Sequence, residues 1–201
     1  MEPLEPFDGA TPLDDISGLR SKTIRTRGQL YAAEAENMRT AYVKYLSSRP
    51  ATRLAPFDVA WLKKLHREMF GKVWKWAGTA RSHDVNIGVG WTRIDAELLD
   101  LEQTVDFFRS SPMPLIEQAT RLHHRSVAIH PFPNGNGRWG RLLANIWLKH
   151  NGAEPTAWPE RLNAENDVRN EYLIAMREAD AGDIEHLLDI HRRYTPESHR
   201  S

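Results

Sequence analysis

Residues 130–141 read HPFPNGNGRWGR, and the fold follows from what stands on either side of this stretch. Before it, Ile116, Ala119, Leu122, Val127 and Ile129 recur at helical spacing up to His130, where Pro131 and Pro133 stop the helix. After it, Arg138 to His150 is again helical, with Leu142, Leu143, Ile146 and Trp147 turned inward and Asn151-Gly152 as the stop. A glycine-rich turn is therefore held between two apolar helices. Gly135 and Gly137 allow close backbone approach where the second helix begins, and the unpaired amides of a helix N-terminus carry about half a positive charge. Arg138 and Arg141 stand i, i+3 in that first turn, where cations oppose the helix dipole unless an anion compensates them. The arrangement predicts a polyphosphate site. His130, whose ordinary pKa lies near neutrality, is placed on the opposite wall as a general base. Asn134 and Asn136 add carbonyl oxygens for Mg²⁺ and amide groups for a phosphoryl oxygen. Such a turn, and a histidine at a helix end, each occur as plain structure; their joint spacing is what points to a site.

Outward from this stretch the chain reads as mostly helical. Residues 1–26, broken early by Pro3, Pro6, Gly9 and Pro12, are expected to form an irregular arm. From about Gly28, Leu30, Ala33, Met38, Ala41 and Tyr45 mark a first helix. Pro56-Phe57-Asp58 opens a second, in which Val59, Leu62, Leu65 and Met69 share a face and Gly71 is the stop. Between Val73 and Ile94, Trp74, Trp76, Val85, Ile87, Val89 and Trp91 partly alternate with Gly78, Gly88 and Gly90, which predicts a short β-hairpin. Asp95 is expected to cap a third helix bearing Leu98, Leu101, Val105 and Phe108. Beyond the turn, Tyr172, Leu173 and Met176 face a core, and a last helix runs from near Ile184 to Tyr194. The expected fold is an all-α domain over residues 27–195 with one hairpin and a tail at 196–201.

Composition narrows the function. Lys plus Arg (27) balances Asp plus Glu (27), which argues against direct nucleic-acid binding. Without cysteine, thiol chemistry and thiolate metal sites are excluded. The acidic, Pro-punctuated N-terminus does not have the layout of a secretory signal, and LLANIWL at 142–148 is too short to span a bilayer. A cytoplasmic protein is the simplest expectation.

The twelve residues from His130 to Arg141 resemble the Fic family motif, His-Pro-Phe-any-Asp/Glu-Gly-Asn-Gly-Arg-any-any-Arg, at every fixed position except Asn134. The resemblance implies an adenylyltransferase that moves AMP from ATP-Mg onto a Ser, Thr or Tyr hydroxyl of a protein. His130 would then be the base, and Phe132 would anchor the loop. Gly135, Asn136 and Gly137 would form the anion hole, and Arg138 and Arg141 would hold the β- and γ-phosphates. Asn134 stands where the family has an acidic Mg²⁺ ligand, which implies weaker metal binding or a different donor. Doc-type relatives, which phosphorylate, carry Lys where Gly137 stands here, so Gly137 favours nucleotidyl transfer. The 73–94 hairpin corresponds to the family flap that lays a target protein alongside it by strand addition. His123 falls on the His130 face of its helix and reads first as a packed histidine, while Tyr172 matches a position near the adenine as well as a core residue. Many Fic proteins silence themselves through a helix bearing Ser/Thr-any-any-any-Glu-Gly/Asn. Residues 27–48 offer Glu36-Asn37 for it, with Ala32 at the Ser/Thr position and Glu34 as the rival glutamate. The combination TRGQL, MFGKVWKWAG, NIGV and HPFPNGNGR is similar to the Fic proteins called mobile mystery protein B, whose typical neighbour is a small helix-turn-helix partner. Phosphoryl transfer, and a catalytically weak module that only holds a nucleotide or partner, stay open as alternatives.

Overall fold

The computed structural model describes residues 16, 18–159, 162 and 167–196. Its central element is a helix of 15 residues, Asn136–His150, buried on nearly every side from Trp139 to Leu148. Numbered in chain order, the helices are α1 (Arg27–Leu46), α2 (Val59–Phe70), α3 (Ile94–Phe108), α4 (Leu115–Ile129), α5 (Asn136–His150), α6 (Asp167–Asp180) and α7 (Glu185–Tyr194). A short 3-10 turn, Trp91–Arg93, precedes α3. α4 doubles back on α5 through the 130–135 connection, so the sequence that decides the fold sits at one end of the innermost helix pair.

Local signals start the outer helices. Thr26 accepts from the Gln29 amide while the Gln29 side chain reaches back to the Thr26 amide, a reciprocal cap that fixes the start of α1. Asp58 does the same service for α2, accepting from Trp61 N at 2.7 Å. The face of α2 formed by Trp61, Leu62, Leu65, His66, Met69 and Phe70 is buried in the main core beside Phe132, Trp139 and Leu142. A smaller cluster, Leu162, Tyr172, Ala175, Met176, Leu187 and Ile190, lets α6 and α7 close over Val127 of α4. Phe132 is fully buried.

Two sequence expectations change. Residues 73–94 form no hairpin; among the described residues the sole β pairing there is an isolated bridge between Leu19 and Trp74. The alternation that suggested strands serves other ends: Val73 and Trp74 bury their side chains, and the carbonyls of His83 and Val89 are taken by the Arg81 side chain rather than by a facing strand. Asp95 is not the cap of α3, which begins one residue earlier at Ile94 without a side-chain cap; Asp95 instead pairs with Lys63 at 2.7 Å. Of the predicted arm, residues 1–15 and 17 lie outside the described residues, as do 197–201 of the tail. The described part of the arm is anchored, with Arg20 N donating to Val73 O and Lys75 N to Gly18 O, both at 2.9 Å.

Candidate active site

α4 ends at Ile129, and His130 follows in a left-handed conformation at φ 51°, ψ 56°, which is rare outside glycine. That twist turns the chain into Pro131-Phe132 instead of continuing the helix. The Asn136 side chain then clamps the turn from inside: its Oδ1 accepts from Phe132 N at 3.0 Å and its Nδ2 donates to Phe132 O at 2.8 Å. Gly135 is left-handed as well, at φ 83°, and a Cβ there would lie 2.7 Å from the Phe70 ring, so both conformation and space demand glycine. No side chain caps α5 from Gly135. Its first-turn amides, at Asn136, Gly137 and Arg138, therefore start the helix without a side-chain cap.

His66 braces this turn from α2. Gly78 N donates to its Nδ1 at 3.0 Å, so in the neutral ring Nε2 carries the proton and donates to Asn134 O at 2.9 Å. Burial holds His66 down to about pKa 3, and its ring stacks on Phe132 with centroids 3.7 Å apart. The Asn134 side chain accepts from Gly135 N. With that oxygen engaged inside the turn, and with no carboxylate at this position, Asn134 does not fit the part of a resident Mg²⁺ ligand.

His130 is 7% exposed, and neither of its ring nitrogens has a hydrogen-bond partner among the described residues. Burial, and secondarily the Arg81 guanidinium, push its pKa down to about 4; the Val127 backbone pulls the other way without meeting hydrogen-bond geometry. At neutral pH the ring is uncharged with an unused lone pair, as a proton acceptor requires.

The two arginines of the turn are both engaged. Arg138 donates to Glu34 Oε2 of α1 at 2.6 Å and lies over the Phe70 ring, 4.7 Å from its centroid. Glu34, 3% exposed, also accepts from Trp74 Nε1 at 2.6 Å. Glu36 points elsewhere, into an exposed pair with Arg39 at 3.0 Å. The structure therefore brings Glu34 to the turn and leaves Glu36 in solvent. Arg141 lies against Tyr172 and Trp158, 5.7 and 6.0 Å from their ring centroids. The Tyr172 hydroxyl is 3.1 Å from His123 Nε2, and His123 Nδ1 is 3.0 Å from His191 Nε2. Both residues are thus joined to a buried chain behind Arg141, in which burial keeps the imidazoles uncharged.

The sequence reading did not select Arg81 or His66. His66 could have been noticed as a histidine on the apolar stripe of α2, whereas nothing in the spacing around Arg81 marks it.

Fold and turn together define a helical domain built around a glycine-rich turn, with a buried histidine at its edge that has no hydrogen-bond partner among the described residues. The model of the Fic/DOC family matches residues 56–148. Among curated relatives, protein adenylyltransferase fic-1 of Caenorhabditis elegans is 30% identical over 127 residues, which cover 60% of this chain and 24% of that protein. A Fido domain-containing protein of Dictyostelium discoideum is 40% identical over 91 residues, 43% of this chain and 57% of its own. Among solved structures, C. elegans Fic-1 (residues 134–508) superposes with a TM-score of 0.70 at 23% identity, covering 89% of this chain and 52% of that one. BepC, a translocated effector from Bartonella tribocorum with bound AMPPNP, gives 0.65 at 20% identity, covering 86% and 89%. Over residues 56–148 the chain is thus similar to the Fic/DOC family. It spans 24% of the length of the nematode adenylyltransferase it matches.

Proposed function

We propose that this domain transfers AMP from ATP-Mg to a hydroxyl of a protein side chain. The observation that carries the reading is the pairing of His130, uncharged and without a hydrogen-bond partner, with the uncapped start of α5 on the same short turn. The phosphates of ATP occupy the first-turn amides and Arg138 and Arg141, with Mg²⁺ carried on the nucleotide as part of the substrate. A ring nitrogen of His130 takes the proton of the target hydroxyl, whose oxygen attacks the α-phosphorus. The bond from that phosphorus to the β-phosphate oxygen breaks, pyrophosphate leaves, and AMP remains on the protein oxygen. Positioning and fixed positive charge supply most of the rate. The target segment lies along residues 82–91, where Ile87, Gly88, Gly90 and Trp91 are exposed. Glu34 restrains the enzyme at rest, because a carboxylate already seated on Arg138 competes with the phosphates for that guanidinium.

The curated adenylyltransferases support this reading of the activity, and Gly137 supports it within the turn. The test is incubation with ATP labelled at the α- or the γ-phosphate. Label from the α position on protein, abolished by His130→Ala, is the expected result. Label from the γ position would make the domain a kinase, and label from neither would leave a nucleotide- or partner-binding module. Retained α-label in His130→Ala would remove the histidine from the role of base.

A further inference from the structure

Arg81 is a buried cation, 3% exposed, and among the described residues no buried carboxylate stands opposite it. The nearest acidic oxygen, on Asp84 at 3.7 Å, belongs to an exposed side chain. Its donors go instead to backbone carbonyls. Nε donates to His130 O at 2.8 Å, one terminal nitrogen to His83 O at 2.8 Å, and the other to Val89 O. Two backbone bonds run beside these, from Arg81 N to Pro131 O at 2.9 Å and from Val89 N to Ile129 O at 3.3 Å. The 81–89 segment is therefore stitched at both ends to residues 129–131. It also touches the base directly: a Cβ on Gly88 would fall 2.5 Å from His130 Cβ and 3.1 Å from Ile129 O.

These contacts have a cost and a direction. Burying a guanidinium is unfavourable unless its donors are satisfied, and here three carbonyls satisfy them, one of which belongs to His130 with its strained left-handed backbone. The planar fork of arginine can grip three carbonyls at fixed angles, which a lysine ammonium cannot do in the same geometry. Among the described residues Arg81 is the one charged group bearing on the His130 ring.

We propose that Arg81 is the positioning residue of this site: by gripping His130 O and Val89 O at once, it holds the base in its left-handed conformation and fixes the target-docking segment against it as one unit. The proposal rests on His130 being the base and on residues 82–91 receiving the target. Arg81 does not itself touch the reacting atoms. It makes the orientation of the imidazole depend on the placement of the docking segment, so that a target seated along residues 82–91 is registered against the base through the guanidinium.

The test uses the whole purified chain and two variants, Arg81→Met and Arg81→Lys, with imidazole resonances followed against pH and amide exchange followed at positions 81 and 89. In Arg81→Met the His130 pKa is expected to rise by on the order of one unit, since a nearby cation has been removed. Exchange at both amides is expected to quicken about tenfold. Arg81→Lys keeps the charge and loses the fork, so His130 stays depressed while the same amides still exchange faster. That second variant carries the test if Arg81→Met does not fold. Unchanged exchange at both amides in Arg81→Lys, or an unshifted His130 in a folded Arg81→Met, overturns the proposal. Neither readout needs turnover, so absence of AMP transfer in the unaltered protein would defeat the functional reading and leave these two shifts to decide the role of Arg81.

Discussion

Glu34 and Glu36 stand two residues apart on α1 and meet opposite fates, because a helix turns about 100° per residue and so points positions i and i+2 to different sides. Glu34 enters the core and takes Trp74 Nε1 and Arg138; Glu36 stays in water with Arg39. A motif comparison selects Glu36 through the Asn that follows it, and only the rotation of α1 against the turn decides for Glu34. Asn37, the residue that suggested the motif, uses its amide to bind Glu68 O and Lys72 N, which ties α1 to the end of α2. Glu34→Gln keeps an acceptor for the indole and removes the charge from Arg138. It should raise α-labelled transfer by about tenfold, the equivalent of one charge-assisted hydrogen bond, whereas Glu36→Gly should leave labelling unchanged. Equal behaviour of the two variants in the labelling assay would show that α1 does not restrain the site through Glu34.

The α4–turn–α5 unit was legible in the sequence almost to the residue, since its apolar periodicity, its prolines and its glycines all serve one purpose. What periodicity does not reveal is how closely the two helices approach. Gly140 lies at their crossing, where an added Cβ would fall 2.6 Å from Ser126 Oγ and 2.8 Å from Val127 Cγ2. Gly140→Ala is expected to cost about 1–3 kcal/mol by forcing the helices apart, measured as a lower denaturation midpoint. An unchanged midpoint would mean that the Ser126 and Val127 side chains yield without moving α4. The 73–94 segment was misread for a related reason. Its alternating aromatic and aliphatic residues resemble a strand pattern, but Trp74 is alternately placed in order to reach Glu34. The backbone groups that a hairpin would pair are met by Arg81, a residue for which no local spacing rule exists.

Among the described residues, four buried histidines are held uncharged: His66 and His191 near pKa 3, His130 near 4, and His123 well below its ordinary value, each chiefly because burial penalises the cation. In the unfolded chain they titrate near 6.5. Below that value the unfolded state binds protons that the folded state refuses, so stability is complete above pH 6.5 and falls as the pH is lowered towards 3–4. Each histidine contributes up to about 1.4 kcal/mol per pH unit in that window. A melting temperature that declines steeply between pH 6.5 and pH 4, and is level from 6.5 to 8 as far as the histidines are concerned, is the expected outcome. A curve flat down to pH 4 would show that these rings become charged in the folded protein. The chain joining Tyr172, His123 and His191 across α4, α6 and α7 was not foreseeable, because it connects residues as far as 68 positions apart.

The stacking of Trp74 on Trp76, with centroids 5.0 Å apart and planes 27° from parallel, gives the protein an optical signature of its own. Two indole transitions this close exchange excitation, and their coupling rotates circularly polarised light in the near ultraviolet according to the angle between the rings. Trp74 is the same indole whose N–H holds Glu34, the carboxylate that also takes Arg138, so the pair reports on the surroundings of that carboxylate. The Trp74–Trp76 pair is thus an intrinsic chromophore next to the Glu34–Arg138 contact, readable in solution without a dye.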